Sequence, residues 1–147
     1  MSQRLDVSKH VPEIYRHFFA VEKLLHDSEL PAATLELVKL RASQINGCAY
    51  CVDMHSRDMK KSGESDERLW MVAAWREATV FTPAERAALA LTEEATRIAD
   101  RAVVADDVWR RAAEFYSEEQ LAVLVVAIAM INTWNRINVT ARVAPPV

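Results

Sequence analysis

Helix-start and helix-stop signals are spaced along nearly the whole chain. Proline can open a helix at Pro12 and again at Pro31, because the N–H that it lacks is not needed in a first turn. Glycine, which ends helices by adopting a positive φ, occurs only twice in 147 residues, at Gly47 and Gly63. No alternating strand pattern competes with these signals. The sequence therefore predicts an all-α fold, and we expect one domain over residues 1–147.

Two capping boxes add further helix starts, one from Thr82 to Glu85 and one from Ser117 to Gln120. The predicted helices run from Pro12 to about Leu25, from Pro31 to Asn46, from Cys48 to Ser62, from Asp66 to about Ala78, from Thr82 to about Asp100, over a few residues after Asp106, and from Ser117 onwards. The second and the last of these helices have no broad polar face, which is typical of a core or a subunit interface. Since a chain of this size has room for one such helix in its own core, we expect neighbouring subunits to cover the other.

Charge and hydropathy argue against several classes of protein. The formal net charge of −3 at pH 7 lacks the excess of basic residues that is typical of proteins that bind nucleic acids. The N-terminal residues contain no apolar stretch of the kind found in secretory signals. The longest apolar run, Leu121–Ile131, is about half of the ~20 residues that a membrane span needs. We therefore expect a cytoplasmic protein without a membrane segment.

Two cysteines, Cys48 and Cys51, are the only ones in the chain. In a reducing compartment such a close pair is more often catalytic, redox-sensing or metal-binding than a structural crosslink. On a helix the two side chains share a face, so their sulfurs can approach disulfide distance. The dipeptide Asn46-Gly47 places the pair at a helix N-terminus, where the helix dipole and unpaired N–H groups stabilise a thiolate.

Two further side chains can serve the cysteines. His55 lies one turn after Cys51 on the same face, so its imidazole can accept the thiol proton or stabilise the thiolate. Glu36 belongs to the preceding helix, and antiparallel packing of the two helices would bring its carboxylate towards His55 to orient the ring. This set of residues predicts cysteine attack on a peroxide oxygen, followed by condensation of the sulfenic acid with the second thiol.

Other interpretations of these residues stay open at this point. The cysteines can be plain core residues, or they can bind zinc together with His55, although Glu36 would be an unusual fourth ligand. Trp70 and Trp75 can line a peroxide pocket, but aromatic residues at helical spacing more often belong to the core. A polar face near the end of the last helix is interpreted as a helix-end cap or an ion pair rather than as catalytic: Asn132, Asn135 and Arg136.

The segment from Glu36 to His55 resembles the alkylhydroperoxidase D-like (AhpD-like) branch of the carboxymuconolactone decarboxylase superfamily. The pattern is Glu, eleven residues, Cys, two residues, Cys, three residues and His, and it stands here at Glu36, Cys48, Cys51 and His55. The later stretches LWMVAAWREATVFTPAERAALALTEEATR and INTWNRI resemble the same branch. The resemblance extends from about residue 10 to about residue 140. It implies an AhpD-like helical bundle, assembled as a homotrimer or homohexamer.

By this resemblance the protein would be a thiol-dependent peroxidase that needs no cofactor. Cys51 would attack the peroxide and Cys48 would resolve the product. His55 would act as the base, and Glu36 would orient it. The reductant would be a dithiol such as dihydrolipoamide. The best-known members have His where this chain has Tyr50, so we expect a shorter proton relay, although the Tyr50 hydroxyl can still donate a hydrogen bond.

Two competing functions use the same sequence features. A redox-responsive interaction protein would use the disulfide to change its binding to a partner. A decarboxylase-like lactone enzyme would use the fold and leave the cysteines idle. The decarboxylase branch generally lacks this pair of cysteines, which argues against that chemistry here.

Overall fold

A computed structural model describes residues 2–146, which contain helices and no strand. The helices are α1 (Val7–His10), α2 (Pro12–His26), α3 (Ala32–Asn46), α4 (Ala49–Lys61), α5 (Asp66–Met71), α6 (Pro83–Thr96), α7 (Ile98–Arg101), α8 (Asp106–Ala113) and α9 (Glu118–Ala141), with a 3₁₀ turn at Val72–Ala74. The predicted all-α class is confirmed. Both predicted capping boxes are present, at the starts of α6 and α9, with side chain and backbone paired in both directions.

Three helix boundaries differ from the prediction. The short helix α1 precedes Pro12, and α6 ends at Thr96 instead of near Asp100. The helix that begins at Asp66 ends at Met71 and gives way to the 3₁₀ turn instead of continuing to Ala78. Beyond the 3₁₀ turn, the Arg86 guanidinium of α6 donates hydrogen bonds to the carbonyls of Trp75, Arg76 and Ala78. These bonds satisfy the carbonyls of a segment that is not helical.

The helix α3 lies at the centre of the fold and packs against α4, α6 and α9. One side of it, through Leu35 and Val38, joins a core cluster with α2, α6, α8 and α9. The opposite side, through Leu37 and Leu40, joins a second cluster with α4, α6 and the 3₁₀ turn. This position between two clusters explains why the sequence of α3 has no broad polar face.

The helix α9 is apolar for a different reason. Its Leu124 and Ile128 belong to the first core cluster, whereas Val125 and Val126 on the other side are 45% and 44% exposed. By length and composition alone α9 would suffice to cross a membrane, a criterion that core helices of soluble proteins also meet. It packs against α3 and α6, and 33% of its most apolar window is buried.

Candidate active site

The turn between α3 and α4 sets the position of both cysteines. Gly47 ends α3 with a φ of 67°, in the left-handed region that favours glycine. The chain then enters α4 with Cys48 as the N-cap residue, and the backbone N–H of Cys51 donates a hydrogen bond to the Cys48 Sγ over 3.3 Å. The cysteine pair thus lies at a helix N-terminus, as the sequence predicts.

A buried polar network on α9 holds this turn in place. The side-chain amide of Asn46 donates hydrogen bonds to the Oδ1 atoms of Asn132 and Asn135, each at 2.9 Å. Asn135 in turn donates to the Ser43 Oγ at 3.0 Å, and Arg136 donates to the Asn132 Oδ1 at 3.0 Å. The polar face of α9 therefore fixes the last turn of α3, instead of capping the end of its own helix.

Cys48 and Cys51 are joined by a disulfide bond, with their Cα atoms 5.4 Å apart. Each residue is only 1% exposed. Within residues 2–146, no group of three or more His, Cys, Asp or Glu side chains is arranged to hold a metal ion. In this state the two sulfurs are engaged with each other, which is the oxidised half of a dithiol–disulfide couple.

The structure brings Glu36 of α3 and His55 of α4 into direct contact. The His55 Nδ1 and the Glu36 Oε2 are 2.8 Å apart, and the side chains are 6% and 16% exposed, respectively. Burial raises the pKa of Glu36. The hydrogen bond and charge of His55, together with the charges of Lys39 and His26, lower it by a larger amount, so the pKa of Glu36 lies below its ordinary value. Glu36 is therefore a carboxylate near neutral pH.

The other ring nitrogen of His55 is free to act. Among the described residues, the His55 Nε2 is buried and has no hydrogen-bond partner. A buried polar atom without a partner costs free energy, and a functional role is one explanation for its presence. Since the Nδ1 is held by Glu36, the Nε2 is the ring nitrogen that is left without a partner.

A cavity of about 510 Å³ opens onto these residues. Cys51, His55, Glu36 and Tyr50 line it, whereas Cys48 is not among the lining residues of the described chain. Of the two cysteines, therefore, Cys51 is the one that lines this cavity. The cavity is closed on its far side by residues of α1, α2 and α9 and of the segments before α1 and after α9.

An aromatic wall from α2 and α9, formed by Tyr15, Phe19 and Trp134, faces the cysteine side of the cavity. The Trp134 ring packs against both other rings, with centroid distances of 5.3 and 5.5 Å. Its indole N–H donates to the Glu22 Oε1 at 3.0 Å, and the second Glu22 oxygen pairs with the buried Lys39 at 2.5 Å. The wall is thus tied to α3 by a satisfied ion pair.

The two tryptophans that the sequence analysis considered for this pocket lie elsewhere. Trp70 is 70% exposed, and Trp75 is buried in the second core cluster, where its indole N–H donates to Glu93. Trp134 takes the place considered for them. It lies within the stretch INTWNRI, which the sequence analysis quoted only for its resemblance.

Asn138 is a second site residue that the sequence analysis did not single out. Its side-chain Nδ2 donates a hydrogen bond to the Cys51 Sγ over 3.3 Å, and it also lines the cavity. A signal for it exists in the sequence, because Asn138 follows Asn135 by three residues and so extends the polar face of α9 by one turn.

The fold and the site together define a class of proteins: all-helical AhpD-like proteins that carry a buried CxxC disulfide beside a His–Glu pair. The chain belongs to the carboxymuconolactone decarboxylase family, whose sequence profile matches residues 12–94. The matched segment contains Glu36, both cysteines and His55.

Individual relatives agree with this assignment. The chain is 42% identical over 139 residues to the uncharacterized protein YdfG of Bacillus subtilis, covering 95% of this chain and 94% of the relative. It resembles the crystal structure of a protein of unknown function from Agrobacterium tumefaciens, proposed to be the antioxidant defence protein AhpD, with 38% identity, a TM-score of 0.95 and 99% coverage of both chains. The debrominase Bmp8 has the same fold, with 20% identity, a TM-score of 0.84, and coverage of 95% of this chain and 74% of Bmp8.

Proposed function

We propose that the protein is a thiol-dependent peroxidase that cycles through the Cys48–Cys51 disulfide. The observation that carries the proposal is the geometry around Cys51. It is the cysteine that lines the cavity, it accepts a hydrogen bond from Asn138, and it lies one helical turn from His55. A cysteine in such a polar, donor-rich setting forms a reactive thiolate.

The first half of the cycle consumes the peroxide. His55, held by Glu36, accepts the Cys51 proton through its Nε2. The Cys51 thiolate attacks the terminal oxygen of the hydroperoxide, the O–O bond breaks, and the leaving alkoxide takes the proton back from His55 as an alcohol. The products are the alcohol and a sulfenic acid on Cys51.

The second half returns the protein to its dithiol state. The Cys48 thiol attacks the Cys51 sulfur, the S–O bond breaks, and water leaves as the disulfide forms. The Cys48 sulfur already accepts a hydrogen bond from the backbone N–H of Cys51, so the helix N-terminus stabilises the Cys48 thiolate for this step. A small dithiol such as dihydrolipoamide then reduces the disulfide and becomes a cyclic disulfide itself.

The cavity favours an organic hydroperoxide over hydrogen peroxide as the substrate. About 510 Å³ lies within the range of cavities that hold whole small molecules. Its wall of Tyr15, Phe19 and Trp134 offers apolar surface to the body of the substrate, while the reacting group reaches Cys51. Tyr50 lines the same space and is proposed as a secondary hydrogen-bond donor to the peroxide.

The proposal extends to location and assembly. A cycle that depends on a cellular dithiol suits the reducing cytoplasm. The exposed face of α9 formed by Ala122, Val125, Val126 and Ala129 is the surface that we propose to be covered by other subunits in a homotrimer or homohexamer.

A stopped-flow experiment on the reduced protein tests the proposed function. The parent protein and the variants Cys51→Ser and Cys48→Ser are mixed with cumene hydroperoxide, and peroxide consumption is measured with and without dihydrolipoamide. The parent should turn over repeatedly when the dithiol is present. Cys48→Ser should consume one equivalent and stop at a sulfenic acid that dimedone traps on Cys51, and Cys51→Ser should consume none.

Other outcomes would overturn the proposal in distinct ways. Dimedone labelling of Cys48 in the Cys51→Ser variant, with none in Cys48→Ser, would reverse the roles of the two cysteines. A disulfide that forms and is reduced without peroxide turnover would favour a redox-responsive interaction protein. Turnover that survives alkylation of both thiols would point to chemistry that does not use them.

A further inference from the structure

The side chain of Asn138 makes direct contact with the sulfur that reacts in the proposed cycle. Its Nδ2 lies 3.3 Å from the Cys51 Sγ, and the two residues are 87 positions apart in the chain. Asn138 comes from the last turn of α9, whereas Cys51 and His55 come from α4. The sulfur on α4 is thus approached by a donor from a different helix.

The end of α9 that carries Asn138 is held in a fixed position. The Asn138 carbonyl accepts the backbone N–H of Val143 at 3.0 Å, which closes the helix end. Arg4 donates its backbone N–H to the Ala141 carbonyl at 2.9 Å and its guanidinium to the Thr140 carbonyl at 3.2 Å. These bonds fix the backbone from which the Asn138 side chain projects, and its donor already contacts the sulfur in the absence of substrate.

We infer that Asn138 is a further catalytic residue, a permanent hydrogen-bond donor that stabilises the thiolate of Cys51. This inference rests on the proposed role of Cys51 as the attacking cysteine. A carboxamide nitrogen donates in every protonation state of the site, whereas His55 can donate from its Nε2 only while it carries a proton there. Asn138 therefore keeps the sulfur stabilised and oriented at the moment when His55 passes its proton to the leaving alkoxide.

The donor also faces the sulfur in the oxidised protein. The hydrogen bond is present while Cys51 is bonded to Cys48, a state in which the sulfur is only a weak acceptor. When the disulfide is reduced, the same donor meets a charged sulfur, and hydrogen bonds to charged groups are stronger than those to neutral ones. The contribution of Asn138 is thus greatest in the form of the protein that attacks the peroxide.

The test measures the Cys51 thiolate directly, in a Cys48→Ser background that leaves one thiol. The pKa of this thiol is determined from the pH dependence of iodoacetamide alkylation and from thiolate absorbance at about 240 nm, methods that depend on the thiolate itself. The variants are Asn138→Ala, which removes the donor, and Asn138→Asp, which keeps the shape and adds a negative charge. Val139→Ala, on the exposed side of the same turn, is the control.

The expected result is an ordered series. Asn138→Ala should raise the thiol pKa by about one unit and slow the reaction with cumene hydroperoxide at neutral pH about tenfold. Asn138→Asp should raise the pKa further, because a carboxylate repels the thiolate. Val139→Ala should change neither quantity. If the alanine variant folds poorly, Asn138→Leu, which removes the donor at a similar side-chain volume, takes its place.

An unchanged thiol pKa in Asn138→Ala would overturn the inference and leave Asn138 with a packing role only, whatever the pKa in Asn138→Asp, because a carboxylate repels the thiolate in either case. If Asn138 had a packing role only, its replacement would lower the melting temperature, but the thiol pKa would not rise in the order Asn, Ala, Asp. The titration needs no peroxide. If the parent protein lacked peroxidase activity, the proposed function would be refuted, and the titration would still decide whether Asn138 stabilises the thiolate.

Discussion

Replacement of Glu36 by Gln should slow the reaction of the reduced protein with an organic hydroperoxide about 10- to 100-fold. The carboxylate lies 2.8 Å from the His55 Nδ1, and the side chains are 16% and 6% exposed. Coulomb's law with an effective dielectric constant of about 20 gives about 6 kcal/mol for full charges at this distance. Desolvation of both groups offsets much of this attraction, so we take about 1.5–3 kcal/mol, the range of hydrogen bonds to charged groups.

In the proposed cycle this interaction orients the ring and stabilises the charge that it gains while it holds the Cys51 proton. Its loss should slow that step by about tenfold for each 1.4 kcal/mol. The assay is rapid-quench measurement of disulfide formation in the reduced protein after one addition of cumene hydroperoxide. Asp58→Asn is the matched control, because Asp58 also lines the cavity but pairs with Lys61 and not with His55. It should react at the parent rate.

A double-mutant cycle decides whether Glu36 acts through His55. His55→Ala alone should slow the reaction about 100-fold or more, since it removes the proposed base. Adding Glu36→Gln to His55→Ala should then cause little further loss, because the two residues form one relay. Equal slowing by Glu36→Gln in both backgrounds would refute the relay and show that Glu36 acts on the substrate or the cysteine directly.

Three further predictions concern stability and assembly. Glu93→Leu should lower the free energy of unfolding by about 3–5 kcal/mol in a urea titration, because it leaves the partly buried Arg41 without its carboxylate; a loss below about 1 kcal/mol would contradict this. The folded pKa of Glu36 lies below its ordinary 4.5, so Glu36 contributes stability that is fully present above pH 4.5 and is lost as the pH falls through the folded pKa. The difference in unfolding free energy between the parent and Glu36→Gln should accordingly shrink on acidification below pH 4.5, and a constant difference would be evidence against it. Val126→Glu on the exposed face of α9 should reduce the sedimentation coefficient at micromolar concentration, unless the parent is already a 16.6 kDa monomer, which would exclude the proposed assembly.

The parts of the fold that depend on neighbouring residues could be predicted from the sequence. The capping boxes at Thr82 and Ser117 and the left-handed Gly47 are local signals, and each lies where the sequence predicts a boundary. The contact between Glu36 and His55 is also short in range, because it joins two consecutive helices across one tight turn.

The parts that depend on distant packing could not. Trp134 and Asn138 reach the site from α9, more than 80 positions from Cys51, and the sequence does not state which side of an apolar helix faces which neighbour. The segment after α5 is likewise bound by a side chain from another helix, since Arg86 of α6 donates to the carbonyls of Trp75 and Arg76. Long-range side-chain contacts, and not helix propensity, decided these features.

The one-sided access to the disulfide has a kinetic consequence. Both cysteines are 1% exposed, but Cys51 lines the cavity, whereas Cys48 is not among its lining residues in the described part of the chain. In the proposed cycle, peroxide and dithiol therefore approach the same sulfur by the same entrance and cannot occupy it together. Turnover would follow a ping-pong scheme in which an excess of either substrate inhibits the half-reaction of the other. At steady state the oxidised fraction of the protein would then follow the ratio of oxidant to reductant, whereas the flux would depend on both concentrations.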